Sequence, residues 1–395
     1  METRTDLDTL AAWVRDRQEQ MQGAIRELAG IESPSDDAPA VNRAVAWVQA
    51  RGTAIGGEAK LHRNLQDSGI KYGHVLELKF HPRDPIESQK PVLLLGHLDT
   101  VWAEGTLASM PIRTENGRMF GPGVYDMKAG VVMALTAVQA LIETSLLNQP
   151  VSLLLVSDEE VGSPVSRPIT EKVAGQASAV FVVEPAQGPQ GAYKTARKGV
   201  GGYRLEVRGI GAHSGVDFTA GHSAVLELAR QIEVISGFTD LDSGLTVNPG
   251  VIGGGTRSNV VAESAWVEID VRVARTADVE GIERKLRGLR PFDEKCVLTL
   301  TGGLNRPPME RTKGTAALFE RAATLAGYMG CKLEEAATGG GSDGNFTSAL
   351  GIPTLDGMGA VGEGAHASNE SILIDALVPR TALLAAMLLN DMGLR

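Results

Sequence analysis

The chain has 395 residues, enough for two or three domains at roughly 150 residues each, which excludes a small scaffold stapled by disulfides or a zinc finger. Apolar residues at 43% and charged residues at 22% exclude a disordered chain, and no apolar run approaching the ~18 residues of a membrane helix is expected. With 48 acidic against 38 basic side chains the formal charge is −10, which disfavours nucleic acid as a partner and points to small ligands rather than polymers.

Met1 to Leu10 carries Glu2, Asp6 and Asp8 without a basic segment and an apolar stretch behind it, so no signal peptide is expected and the cytoplasm is the default location. An amphipathic stretch follows from Leu7 to Ala29. Apolar runs at Val92 to Leu95, Val151 to Val156 and Ala179 to Val183 read as buried strands. Between the first two, MKAGVVMALTAVQALIE at 127–143 reads as a crossover helix, so the fold class is α/β with a mainly parallel sheet flanked by helices.

From about Gly199 the pattern becomes strand, helix, strand, strand, helix, strand, in the pieces Tyr203 to Val207, His222 to Ile235, Thr246 to Ile252, Ser264 to Val273, Val279 to Leu289 and Val297 to Thr301. That order is the ferredoxin-like α+β unit. After Pro307 the longer helices return, at Gly314 to Leu325 and Leu377 to Met392, around the apolar segment Ile352 to Leu355. Residues 1–198 with 307–395 are therefore expected to form one domain, and 199–306 an insertion. Cys296 and Cys331 stand in no ligand-like spacing and read as free thiols.

Each early strand runs into metal-ligand side chains: His97 and Asp99 after the first, Asp158, Glu159 and Glu160 after the second, Glu184 after the third. In an open parallel sheet these segments converge beyond the carboxyl ends of the strands, and so many carboxylates require cations. Asp126, after the Gly121-Pro122-Gly123 turn, either caps the crossover helix or bridges two cations with its two oxygens. His366, flanked by glycines in GEGAHASNE, is either a structural histidine or a second imidazole ligand; nitrogen and oxygen ligation of this kind suits zinc, cobalt or manganese. Ser157 and Ser163 lie in no nucleophile elbow, and Gly339 to Ser342 matches no nucleotide-binding fingerprint. His62, His74, His81 and His222 read as surface or structural.

These residues resemble the di-zinc aminoacylase and carboxypeptidase family, in its glutamate carboxypeptidase (carboxypeptidase G type) branch. The resemblance rests on eight segments in order: GHLDT at 96–100, GPGVYDMKAG at 121–130, SDEEVGS at 157–163, VVEPA at 182–186, GAHSG at 211–215, GGGTRSNVV at 253–261, GGGSDGN at 339–345 and GAHAS at 364–368. It implies Asp126 as the bridging ligand, His97 and Glu184 on one zinc, Glu160 and His366 on the other, and Asp99 orienting His97. It implies Glu159 as general base, acting on a water that two divalent ions acidify towards a pKa of about 7. His213 in the insertion is then an oxyanion donor reaching a partner subunit, so that a homodimer forms through the inserted domain. Asn259, Arg272, Arg306 and Gly341 match positions that hold a substrate carboxylate, a task suited to the bidentate fork of arginine. Met127 and Ala129 depart from the branch pattern, and the pocket walls around Trp102, Gly188 and Met358 find no match.

The expected activity is hydrolysis of an amide bond next to a free carboxylate, releasing a C-terminal glutamate or similar residue from an N-acyl amino acid or short peptide. The alternatives are an aminoacylase, deacylase or dipeptidase with the same metals, and a catalytically silent metal-binding homologue.

Overall fold

A computed structural model of the chain describes residues 2–62, 72–86 and 88–390. The last residues of the expected Leu377 to Met392 helix, and Met1, lie outside these. The chain divides into two compact units, one of Met1–Ala196, Arg311–Thr338 and Ser342–Arg395, the other of Arg197–Glu310 with Gly339–Gly341. The expected domains did not include that three-glycine return to the second unit.

The first unit is built on a six-stranded sheet in the order Glu58–His62, Val75–Phe80, Val151–Val156, Val92–His97, Ala179–Val182 and Thr354–Leu355. The last four are mutually parallel, and the first two join antiparallel at one edge. Val92–His97 and Val151–Val156 are buried at every position, which is why they read as largely apolar runs without alternation. Their register pairs His97 with Val156, so the two strands end level, and Ala179–Val182 pairs with Val92–Leu95 alongside.

The crossover between the two central strands is the helix Ala129–Glu143. It packs against Glu2–Asp16, Gln18–Ala29 and Leu377–Met387, the first two of which form the amphipathic stretch expected at Leu7 to Ala29. The helical stretch Val124–Glu143 is long and apolar enough in its mean composition to cross a membrane, which the sequence expectation of no such run did not foresee. Its most apolar window is 78% buried, and Asp126 and Met127 have non-helical backbone angles, so here it serves as a packed core element.

A small antiparallel sheet of four short strands, Gly362–Glu363, Ser371–Leu373, Arg118–Phe120 and Arg113–Glu115 in that order, brings distant parts of the chain together. Ser371 pairs with Phe120. The Gly121–Asp126 turn and the loop bearing His366 therefore leave the same sheet as neighbours.

The second unit is a four-stranded antiparallel sheet in the order Thr246–Gly254, Ser264–Val273, Gly199–Arg208 and Val297–Arg306, covered by the helices Ala224–Ser236 and Thr276–Arg287. This is the ferredoxin-like unit expected from the sequence. Along Ser264–Val273 the side chains of Ala265, Val267, Ile269, Val271 and Val273 are buried, in a core with Leu228, Ile235, Ile282 and Leu286. Each of these valine, leucine and isoleucine side chains contributes about 1.5–3 kcal/mol on burial, enough for the period-two pattern to set which face meets the helices.

Candidate metal centre

His97 ends its strand with its side chain 1% exposed. Its Nδ1 lies 2.9 Å from the Asp99 main-chain carbonyl oxygen, and a carbonyl only accepts, so Nδ1 carries a proton and Nε2 is the nitrogen open to a cation. Nε2 faces Asp126 Oδ1 at 3.2 Å and Glu184 Oε1 at 3.6 Å. The other oxygen of Asp126, Oδ2, lies 3.4 Å from His366 Nε2, and Glu160 Oε2 lies 3.1 Å from that same nitrogen. Asp126 thus stands between two imidazoles, each with a second carboxylate of its own.

Asp126 does not cap the crossover helix, which begins at Ala129 without a side-chain cap. It sits in the kinked Val124–Lys128 turn, and that backbone turns its carboxylate toward both histidines. His366 has φ +62, and its side chain is 50% exposed.

Asp99 is completely buried and organises the acidic turn beyond Val156. Its Oδ1 accepts from the Glu159 amide at 3.2 Å, and its Oδ2 from the Glu160 amide at 3.1 Å and from Ser35 Oγ at 2.7 Å. One ligand atom each from His97, Glu159 and Glu184 lies within 4.8 Å of the others, and so does one each from His97, Asp126 and Glu160. Asp158, the third acid of the run, turns away: its Oδ2 accepts from the amides of Val165 and Ser166 and holds the following loop. Ser157 donates to the His74 carbonyl and Ser163 to Asp343, so both hydroxyls that flank the cluster are engaged elsewhere.

The charges of this cluster call for cations. Asp99, Asp126, Glu159, Glu160 and Glu184 gather around two imidazoles, and Glu160 Oε1 is buried without a hydrogen-bond partner among the described residues. Burial opposes a charged His97, yet the Asp126 and Asp99 carboxylates raise its pKa well above the usual imidazole value. Hydrogen bonds to Asp126 and Glu160 lift His366 to about 10. Burial opposes ionisation of Asp126, but the two imidazoles hold it well below the usual carboxylate range, while burial pushes Glu160 up. Protons on the histidines supply positive charge that divalent ions supply better, and the all nitrogen and oxygen donor set fits them.

Two residues here escaped the sequence reading. Glu370, fully buried, lies in the same GEGAHASNE segment as His366, and Trp102, expected as a pocket wall, donates to it at 2.8 Å. Lys128 is buried two residues after Asp126, its Nζ donates to the Ile31 carbonyl at 2.6 Å, and burial pushes its pKa down to about 8. A lone acid or lysine carries no spacing signal, so only the strand pairing that brings the segments together reveals them.

The remaining expected residues lie in the second unit, in two places. His213 and Asn259 are exposed neighbours: the Ala212–His213 strand pairs with Val260–Val261, and the Asn259 carbonyl accepts from the Ser214 amide at 3.0 Å. Arg272 and Arg306 both pair across Val200, on either side of it, so the two arginines share one row of the sheet. A Cβ on Gly341 would stand 2.9 Å from Arg306 Cδ, which places the glycine loop on that row. Arg306 is buried, whereas Arg272 is held by Asp270, with Nε 2.8 Å from Oδ1 and Nη2 2.9 Å from Oδ2.

The profile of peptidase family M20/M25/M40 matches residues 93–390. The chain is 26% identical over 386 residues to carboxypeptidase G2 of Pseudomonas sp. (strain RS-16), covering 96% of this chain and 90% of that protein. It is 25% identical over 288 residues to acetylornithine deacetylase of Myxococcus xanthus, covering 68% and 71% of the two. It shares the fold of aminopeptidase PepT from Bacillus cereus ATCC 10987, with a TM-score of 0.79 at 21% identity over 94% of this chain and 98% of that one. With more than half of its length matched, and the GHLDT, SDEEVGS and VVEPA segments within the matched range, the chain is a hydrolase of peptidase family M20/M25/M40.

Proposed function

We propose that this chain is a cytoplasmic di-zinc amidohydrolase that cleaves an amide bond next to a free carboxylate, releasing a C-terminal glutamate or similar amino acid from an N-acyl or peptidyl substrate. The observation that carries the reading is the single carboxylate of Asp126 standing between His97 and His366. On this reading His97, Asp126 and Glu184 hold one ion, and Asp126, Glu160 and His366 hold the other. Zinc suits these ligands, as do cobalt and manganese. Bound there, a pair of divalent ions supplies Lewis acidity toward the scissile carbonyl and lowers the pKa of water.

The chain supplies proton transfer and positioning. Glu159, its amide fixed by Asp99, takes a proton from the attacking water on its carboxylate and passes it to the leaving nitrogen. Asp99 keeps the Nδ1 proton of His97 in place and so directs Nε2. His213 donates to the developing oxyanion in a partner subunit, a contribution of about 3 kcal/mol for a well-placed donor. Exposed Val225 and Leu226 on one helix, and Val251 and Ile252 on the edge strand Thr246–Gly254, support the inserted unit as the homodimer surface. Arg306, with Arg272 and Gly341 on the same row, receives the substrate carboxylate, whereas Asn259, beside His213 at the other end of the sheet, serves the substrate of a partner subunit as His213 does; similarity to carboxypeptidase G2 supports that choice.

A second reading, a deacylase or dipeptidase, is favoured by one observation: Asp270 already occupies the fork of Arg272. Metal analysis paired with a hydrolysis panel of N-acylated glutamate, aspartate and neutral amino acids and of dipeptides separates the readings. Two ions per chain with preference for the acidic amides is the expected result. Preference for neutral amides or dipeptides selects the second reading, and bound metal without hydrolysis of any member selects a silent homologue.

A further inference from the structure

Glu370 is fully buried and accepts four hydrogen bonds on its carboxylate. Oε1 accepts from the amides of Tyr125 at 2.9 Å and Asp126 at 3.0 Å. Oε2 accepts from the Gly123 amide at 2.9 Å and from Trp102 Nε1 at 2.8 Å. Its main-chain carbonyl also accepts from the Gly121 amide at 3.3 Å. The amides of a turn converge here as they do on a bound anion, but the anion is a side chain of the protein itself.

The donors are not arbitrary. Three of the four side-chain bonds hold the turn that ends in Asp126, one of them to the Asp126 amide itself. The fourth comes from Trp102, on the segment that carries His97 and Asp99. Glu370 follows His366 in the same loop, just before Ser371 pairs with Phe120. One carboxylate therefore joins the three segments that present His97, Asp126 and His366. With its amide pinned, Asp126 has little freedom beyond its own side-chain torsions, so its two oxygens stay directed at the two imidazoles.

We propose that Glu370 is the positioning residue of the candidate metal centre: it clamps the Gly121–Asp126 turn to the His366 loop and so sets the placement of the shared ligand Asp126. The proposal rests on the reading of His97, Asp126 and His366 as ligands, and Glu370 itself touches neither ion nor substrate. Glu370→Gln replaces one oxygen with an NH2 group that faces two N–H donors, losing two bonds whichever way the amide is turned. Glu370→Asp keeps the charge but withdraws both oxygens by one methylene.

The test measures zinc affinity by chelator competition on metal-stripped wild type, E370Q and E370D, with thermal unfolding of each stripped protein. The expected result is about 10- to 100-fold weaker zinc binding in both variants, the scale seen when a residue that orients a ligand is lost. The stripped variants are expected to remain folded, and KM at saturating zinc to stay at the wild-type value. Unchanged zinc affinity in folded variants overturns the inference alone. Loss of the fold in stripped E370D also overturns it, since the role is then structural throughout. A wild-type chain that takes up no zinc overturns the ligand reading, and this inference with it.

Discussion

Gly130 approaches Val183 so closely that a side-chain carbon on the glycine would overlap the Val183 carbonyl oxygen. The contact ties the first turn of the crossover helix to the residue just before Glu184, so the spacing between the Asp126 turn and Glu184 depends on a missing methyl group. Gly130→Ala must force helix and strand apart, at a cost of about 1–3 kcal/mol. Chemical denaturation of the metal-stripped protein measures it, and an unchanged midpoint at an unchanged slope would refute the argument.

Glu159→Gln removes the proton acceptor and leaves the Asp99-bonded backbone in place. Turnover is expected to fall about 10²- to 10⁴-fold while metal content stays at the wild-type level. Atomic emission analysis alongside steady-state kinetics checks both halves. Full activity would remove the base assignment, and loss of one metal would make Glu159 a ligand, an outcome its place within 4.8 Å of His97 and Glu184 makes worth measuring.

Arg306→Ala should act on binding rather than on chemistry. A charge-assisted hydrogen bond to a carboxylate contributes about 1.5–3 kcal/mol, so KM for acidic substrates rises roughly 10- to 100-fold with kcat little changed. Arg306→Lys should restore little of it, because an ammonium lacks the planar fork. An unchanged KM in the alanine variant excludes Arg306 as the anchor.

Acid sensitivity is expected away from the metal centre. Glu77, 4% exposed, lies 2.8 Å from His62 Nε2 and 3.3 Å from Lys79 Nζ. Burial works against its charge, but those partners hold its pKa below the ordinary value. The unfolded chain therefore takes up a proton at this group before the folded one does, so the stability it contributes is complete above about pH 5 and is lost as pH falls through the lowered pKa. Glu77→Gln should cost about 1–3 kcal/mol at neutral pH, with the gap to wild type closing in acid. A gap that stays constant in urea titrations from neutral to acidic pH would refute this.

The strands Val151–Val156 and Ser264–Val273 were readable to the residue, the first as a largely apolar run and the second as alternation. Burial on two faces and on one face leave those two patterns directly in the composition. The acids and imidazoles beyond the strand ends were readable for a related reason, since a parallel sheet collects its carboxyl ends at one edge. What could not be read arises from pairings between distant segments. Strands of two or three residues, such as Gly362–Glu363 and Arg118–Phe120, have no room for a period, yet they bring Asp126 and His366 together. Glu370 acts on backbone amides, which every residue has, and so left no motif. Asp126 looked like a helix cap because its unusual backbone angles are not encoded in residue type alone.

The two imidazoles differ in access: the His97 side chain is 1% exposed and that of His366 50%. The imidazole at one end of the ligand array is open to solvent and the imidazole at the other is covered, so exchange with the surroundings is expected to be sequential. A chelator should strip the ion beside His366 in a fast phase and the one beside His97 in a slow phase, resolvable by stopped-flow with a zinc-sensitive dye. The protein would then pass through a half-loaded form whose remaining ion sits on the sealed side, and the scarcity of metal at which activity fails would be set by the open histidine.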